Sequence, residues 1–293
     1  MLLELFKRNR QTRVCQPRTR LITSLEYIVR NMKYFFSQDP NKLFKKTSRV
    51  FLLFDYDGTL VPIVKRPSLA RTPSLIKKRL ECLLKKEKIL TGVISGRSLK
   101  DIRKKAGVKK IFFAGSHGAE MLFKGKKIII PKLAKGSSRK LIGLAKTRVR
   151  KGLENFPGVI YEEKPFTFAV HYRNASFIQA QEIVRKVKNI VSEVCGPDGV
   201  RLKFGKKVIE IAPRMPFGKF DAVKFFYKKM KKKNNDITVF IGDDLTDEDI
   251  FKNLSNKDIG IRIGKNKSSA AKYFLKNTFE VRKFLDLMLK LEL

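Results

Sequence analysis

From Arg49 onward the chain is written as short apolar runs that stop at Gly, Asp or Ser, separated by stretches whose apolar residues recur at helical spacing. That alternation specifies a parallel α/β sheet, because each buried strand needs a crossover helix before the next can lie beside it. The expected strands are Phe51 to Phe54, Leu90 to Ile94, Ile111 to Ala114 and Thr238 to Ile241. Between them Leu75, Ile76, Leu80, Leu83 and Leu84 share one helical face, as do Ala222, Val223, Phe226 and Met230, so these helices are expected to cover the sheet.

The middle third, roughly Ile128 to Pro213, follows a different rule. Two long helical patterns are each followed by an alternating strand. From Thr167 to Arg173, Phe168, Val170 and Tyr172 point one way and Ala169, His171 and Arg173 the other. One face buried and one polar suits an antiparallel sheet backed by helices, inserted into the parallel domain. The expected division is a basic N-terminal helical segment (1–46), a core (47–127 and 214–293) and an insert (128–213). In the first segment Leu21, Ile22, Leu25, Ile28, Val29, Met32 and Phe35 repeat at helical spacing, giving an amphipathic helix that either packs on the main domain or meets a membrane surface.

Charge narrows the function classes only a little. With 66 Lys and Arg against 27 Asp and Glu, the formal charge is +39, which favours any anionic surface nearby. The basic residues are spread along the whole chain, however, and neither zinc-finger spacing nor an aromatic RNA-binding signature is present. Cys15, Cys82 and Cys195 lack paired spacing, which fits a reducing, cytoplasmic compartment. No apolar run approaches the ~20 residues that cross a bilayer.

The chemistry is concentrated at strand ends. Asp55-Tyr56-Asp57-Gly58-Thr59 follows directly on Phe51 to Phe54. Two carboxylates one residue apart point the same way, and Gly58 lets the chain turn beside them. Such a pair can bind a divalent cation, with one carboxylate attacking phosphorus and the other trading protons with the leaving oxygen and water. A second acidic group, Gly242-Asp243-Asp244-Leu245-Thr246-Asp247-Glu248, follows Thr238 to Ile241. It reads as a site for a hard cation such as Mg²⁺, as the acidic cap of the next helix, or as both. Ser95 and Gly96 end another strand, and Lys219 precedes a helix. These are a hydroxyl with backbone N–H groups and a point charge, both suited to phosphoryl oxygens.

As an ordered set these motifs resemble the haloacid dehalogenase superfamily, and more closely its trehalose-6-phosphate phosphatase family. The closer likeness rests on Gly115-Ser116-His117-Gly118-Ala119-Glu120, on Glu163-Lys164 with His171-Tyr172-Arg173, on Glu210-Ile211 and on Gly242 through Phe251, and it covers about Val50 to Leu285. The resemblance implies a Rossmann-like α/β core with a parallel sheet and an inserted smaller α/β cap that closes over the sugar. It implies hydrolysis of trehalose 6-phosphate to trehalose and phosphate through an aspartyl-phosphate, with Asp55 as nucleophile and Asp57 as general acid and base. Thr59, Ser95, Gly96 and Lys219 then serve the phosphoryl group, with Lys219 neutralising it. The cofactor is Mg²⁺, held by Asp55, the backbone carbonyl of Asp57 and Asp243, with Asp244 and Asp247 in support. Glu163, Lys164, His171, Arg173 and Glu210, together with His117, are the candidates for sugar hydroxyls. A polar strand face exposes such residues without any ligand as well, and His117 reads equally as a satisfied loop histidine. One departure stands out: the family has Lys followed by Gly after its Glu-Ile-x-Pro stretch, whereas Phe217-Gly218-Lys219-Phe220 places the Gly first. The rival readings are a phosphatase for sucrose phosphate or mannosyl-phosphoglycerate and, from another class, a basic protein that holds a polyanion on the same scaffold.

Overall fold

The computed structural model describes residues 32–64, 66–129, 137–163, 167–205, 207–213 and 218–293. Thirteen strands form two sheets among these residues. The larger runs β1 (Lys33–Tyr34), β13 (Tyr273–Leu275), β12 (Ile259–Ile263), β11 (Asp236–Gly242), β2 (Arg49–Phe54), β3 (Ile89–Ile94), β4 (Phe112–Gly115), β5 (Glu120–Phe123) and β6 (Lys126–Ile129). Its pairs are parallel from β1 through β4, and β5 and β6 add an antiparallel hairpin.

The middle strand shows why this sheet forms. Every residue of β2 after Arg49 is buried, as a run without alternation requires when helices cover both faces. Val50, Leu52 and Phe54 join a cluster with Leu80, Leu83, Phe284 and Met288, whereas Phe51 pairs its ring with Phe226 from the helix Lys219–Met230. Each such fully buried side chain is worth about 1.5–3 kcal/mol. On the helix Ser74–Leu83, Ile76, Leu80 and Leu83 face the core, but Leu75 is 48% exposed and Leu84 half-buried. The stripe follows i, i+4, i+7 spacing, and Leu75 falls off it by one residue's 100° turn.

The expected helix between residues 21 and 35 does not continue into the described chain. Leu21, Ile22, Leu25, Ile28 and Val29 lie outside the described residues. Met32 and Phe35 are buried, but Met32 directly precedes β1 and Phe35 opens a 3₁₀ turn. Here β1 pairs with β13, Phe35 packs against Phe284 at 5.1 Å between ring centroids, and the Tyr34 hydroxyl donates to Glu280 at 2.6 Å. Residues 32 to 46 therefore belong to the core packing, and the β5–β6 hairpin carries the core sheet to Ile129.

The insert holds the second sheet, in the order β7 (Ile160–Glu163), β8 (Phe168–His171), β10 (Val208–Pro213), β9 (Val200–Gly205), all antiparallel. The helices Ser137–Gly152 and Phe177–Gly199 cover one face, where Phe168, Val170, Ile209 and Ile211 meet Ala145, Val149, Ile183 and Val187. The second helix starts at a reciprocal cap in which the Ser176 hydroxyl accepts from Gln179 N and the Gln179 side chain accepts from Ser176 N. No helix among the described residues is long and apolar enough to cross a membrane.

Candidate active site

In the large sheet, β2 has β3 on one side and β11 on the other. At such a reversal of strand order the outgoing connections part, and the carboxyl ends of the strands border a crevice. Asp55 stands there, tied to β11 by its backbone N–H to the Ile241 carbonyl at 2.8 Å.

Its side chain is buried and does not face water. Lys219, 2% exposed, donates from Nζ to Asp55 Oδ1 at 2.8 Å and to Asp247 Oδ1 at 2.7 Å, and lies 3.9 Å from Asp244 Oδ1. The displaced glycine does not move the lysine off the site: Gly218 N-caps the helix, with its N–H bonded to Asp221, and Lys219 opens the first turn. Asp247 Oδ2 accepts from the backbone N–H groups of Asp243 and Asp244 at 2.9 and 3.1 Å, so both its oxygens are engaged within the protein. Asp244 closes the turn by accepting from Thr246 and Asp247. Close approach is built into the glycines. Gly58 has φ +81°, and a methyl there would sit 2.0 Å from Asp243 Oδ2.

Asp55, Asp243 and Asp247 bring carboxylate oxygens within 4.8 Å of one another. Asp243 Oδ1 is buried and has no hydrogen-bond partner. One ammonium facing several carboxylates leaves the cluster short of positive charge. Burial first, and the neighbouring aspartates next, hold Asp55 well above the usual carboxylate range against the pull of Lys219. Burial with Asp247 and Asp244 pushes Asp243 up to about 7, and burial also raises Asp247. For Asp244 burial acts the same way, but Lys219 and Thr246 outweigh it and its carboxyl is lowered. Burial works against the Lys219 ammonium, yet Asp247 and Asp55 raise it overall and keep it charged. An orphaned carboxylate oxygen among carboxyls that resist ionisation fits a hard divalent cation, which removes the like-charge cost and takes oxygen ligands.

Asp57 lies outside this cluster. Arg97 grips both its oxygens, with Nε to Oδ2 and Nη2 to Oδ1 at 2.6 Å each, and its third nitrogen holds Asp101 at 2.7 Å. The guanidinium also lies over the Tyr56 ring. Arg97 is a residue that sequence reasoning passed over, although it stands next to Ser95 and Gly96. Its one signal was an arginine just beyond a strand end. Thr59 and Ser95 are buried; the Thr59 hydroxyl has no partner, and Ser95 Oγ accepts from Arg97 N. His117 belongs with this group, since its N–H donates to the Ser95 carbonyl at 2.9 Å and its ring covers Gly96, where a methyl would meet it at 2.8 Å.

The insert divides its candidates between two faces. Glu163 is in register with Phe168, on the helix-covered side, where Lys146 and Arg150 bind it at 3.1 and 2.8 Å; the Lys146 hydrogen bond lowers its carboxyl. Glu162, one residue earlier, faces the open side and meets His171 Nε2 at 2.9 Å. Glu210 shares that side, opposite Ala169, and accepts from Thr167 at 2.8 Å. The sheet thus groups Glu162, His171 and Glu210 and sets Glu163 apart, correcting the sequence-based grouping. Arg173 is exposed in the turn after β8, and Lys164 and Phe217 lie outside the described residues.

This arrangement of sheet, insert and strand-end aspartates has the haloacid dehalogenase-like fold; the trehalose-6-phosphate phosphatase C-terminal domain of C. albicans superposes with a TM-score of 0.71 at 25% identity, over 86% of this chain and 95% of that one. The trehalose-phosphatase family model matches residues 53–278, and the chain belongs to that family. Trehalose-phosphate phosphatase B of Arabidopsis thaliana is 28% identical over 262 residues, covering 82% of this chain and 66% of the relative. The trehalose-phosphate phosphatase of Mycolicibacterium paratuberculosis is 33% identical over 215 residues, covering 68% and 50%. The chain thus spans one half to two thirds of the length of these relatives.

Proposed function

We propose that the protein hydrolyses trehalose 6-phosphate to trehalose and inorganic phosphate. The observation that carries this reading is the buried Lys219 bridging Asp55 and Asp247 beside the orphaned Asp243 oxygen, at the carboxyl ends of β2 and β11. Asp55 attacks phosphorus and the ester oxygen leaves, giving an aspartyl-phosphate. Asp57 delivers a proton to that oxygen and later takes one from the water that cleaves the intermediate. To do so it lets go of one of its two Arg97 hydrogen bonds, while the other keeps the carboxyl oriented. Lys219 neutralises the phosphoryl oxygens, and the Thr59 and Ser95 hydroxyls with the Gly96 backbone supply donors. Asp55, Asp243 and the Asp57 carbonyl would hold a divalent cation, Mg²⁺ in our reading, with Asp244 and Asp247 behind them; when bound it supplies positive charge to the phosphoryl group. The open face of the insert, with Glu162, His171 and Glu210, offers acceptors and donors for sugar hydroxyls, and closure of the insert excludes water. The free thiols of Cys82 and Cys195 support a reducing, cytoplasmic setting.

The test is phosphate release from a panel of trehalose 6-phosphate, sucrose phosphate and mannosyl-phosphoglycerate with MgCl₂, using wild type and Asp55→Asn. Release from trehalose 6-phosphate that vanishes in the variant is the expected outcome. Release from another member alone reassigns the substrate, and absence of release from all three refutes the phosphatase reading.

A further inference from the structure

The core has a cavity of about 980 Å³ near the amino ends of β3 and β4. Ser95 lies beyond the other end of β3, roughly 13 Å from Thr91 at about 3.3 Å per residue, and Asp55 follows the neighbouring β2. The cavity opens where β3 runs on alone: its pairing with β4 begins only at Gly92 opposite Phe112, leaving Ile89 to Thr91 without that neighbour. Its size matches small-molecule sites, which span roughly 300–1,000 Å³.

The lining has two characters. Phe113 and Leu122 give an apolar floor on the face of the sheet that Thr91 shares, and Leu90 and Phe226 line the other side of the open strand edge. Thr91 is 4% exposed, and its hydroxyl has no hydrogen-bond partner. A buried hydroxyl without a partner is uncommon and asks for a group that is not part of the chain. The rim is cationic. Lys100, Arg103 and Lys104 project from the helix Leu99–Ala106, and Lys109 and Lys110 follow on the next loop. No ion pair links any of these five to a described residue, whereas Glu87 is the one carboxylate lining the cavity. An unpaired cationic rim over an apolar floor selects a ligand that is charged at one end and greasy at the other.

We propose that this cavity binds a small anionic amphiphile, a carboxylate or similar anion on an apolar body of about ten carbons. The head group meets the rim lysines and Arg103, the body lies on Phe113 and Leu122, and Thr91 supplies the single hydrogen-bonding group of the floor. The site is separate from the phosphatase chemistry, and its test does not depend on turnover.

Titration calorimetry of the full chain with decanoate, and with decanol as the neutral body, tests the idea. Decanoate is expected to bind one per chain and decanol at least about tenfold more weakly. The pair Arg103→Glu and Lys104→Glu, on an exposed helix face, should weaken decanoate about tenfold or more, and Thr91→Val should weaken both ligands. If the glutamate variant melts early, Lys109→Gln with Lys110→Gln on the loop serves the same purpose. Absence of decanoate binding, equal binding of decanol, or unchanged affinity in the rim variants overturns the proposal. Vesicles of phosphatidylglycerol form a second arm: capture by vesicles without binding of free decanoate also overturns it, because it assigns the rim to a membrane surface.

Discussion

The two polar surfaces of this molecule are built on opposite terms. In the core, Asp55, Asp247 and Lys219 are buried, and each is held by groups brought together from distant parts of the chain. On the open face of the insert, Glu162 and His171 are half-exposed, with His171 Nε2 2.9 Å from Glu162 Oε2. Burial makes the first set expensive to disturb and chemically strong, because charges in a poor dielectric act on one another with little screening. Exposure makes the second set cheap to exchange. In the proposed function, reaction type is accordingly set in the core, whereas the choice of sugar can drift on the insert with little cost to folding.

The comparison can be broken most easily from the core side. With Asp55 as the proposed nucleophile, phosphate release should fall in Asp55→Asn by more than the roughly 10²–10⁴-fold expected for Asp57→Asn, in which only the proposed proton transfer is lost. Lys219→Met should abolish activity and also destabilise the fold by about 3–5 kcal/mol, since it strands buried carboxylates; urea unfolding measures the second effect. Arg97→Ala, which leaves Asp57 in place but unheld, should lower kcat about 10²-fold with a smaller change in KM. On the insert, Glu162→Gln and His171→Ala should raise KM about tenfold with kcat nearly kept, whereas Glu163→Gln should leave KM unchanged. An equal KM effect at Glu162 and Glu163 would erase the proposed division of faces.

A pH experiment sharpens the same contrast. Asp243 is held up to about 7, so between about pH 4 and that value the folded state binds a proton that the unfolded chain has lost. The cation-free protein accordingly loses stability as pH rises through this window. A divalent cation replaces that proton, so the gain in Tm from MgCl₂ should be larger near pH 8 than near pH 5. A gain that does not vary with pH would place the cation away from Asp243.

The strands that were legible in the sequence are those buried on both faces, β2, β3, β4 and β11, because their apolar runs have no other use, and β8, whose alternation shows its one buried face. β12 hid behind Arg262, a charged residue mid-strand that is tolerable only because it meets Glu248 and the Asp244 carbonyl. β1 is two residues long and exists only through its pairing with β13. The site aspartates were legible for the reason that they follow visible strands. Arg97 was not, as its partner Asp57 stands forty residues away and no local pattern links them. Nor was the contrast between Glu162 and Glu163, since adjacent glutamates look alike until register assigns each a face.

The pairing of β2 with β11 has a consequence for how the chain reaches its native state. Arg49 and Asp236, which close that ladder through a bidentate contact, are separated by 187 positions. The insert, by contrast, closes its entire sheet from consecutive sequence. During synthesis the insert can complete its hydrogen bonds while the β2 edge that later carries Asp55 is still waiting for β11 to emerge. One edge of β2 thus stays unpaired after β3 has taken the other, and it is there that a chaperone would find the apolar run Val50 to Phe54 within reach.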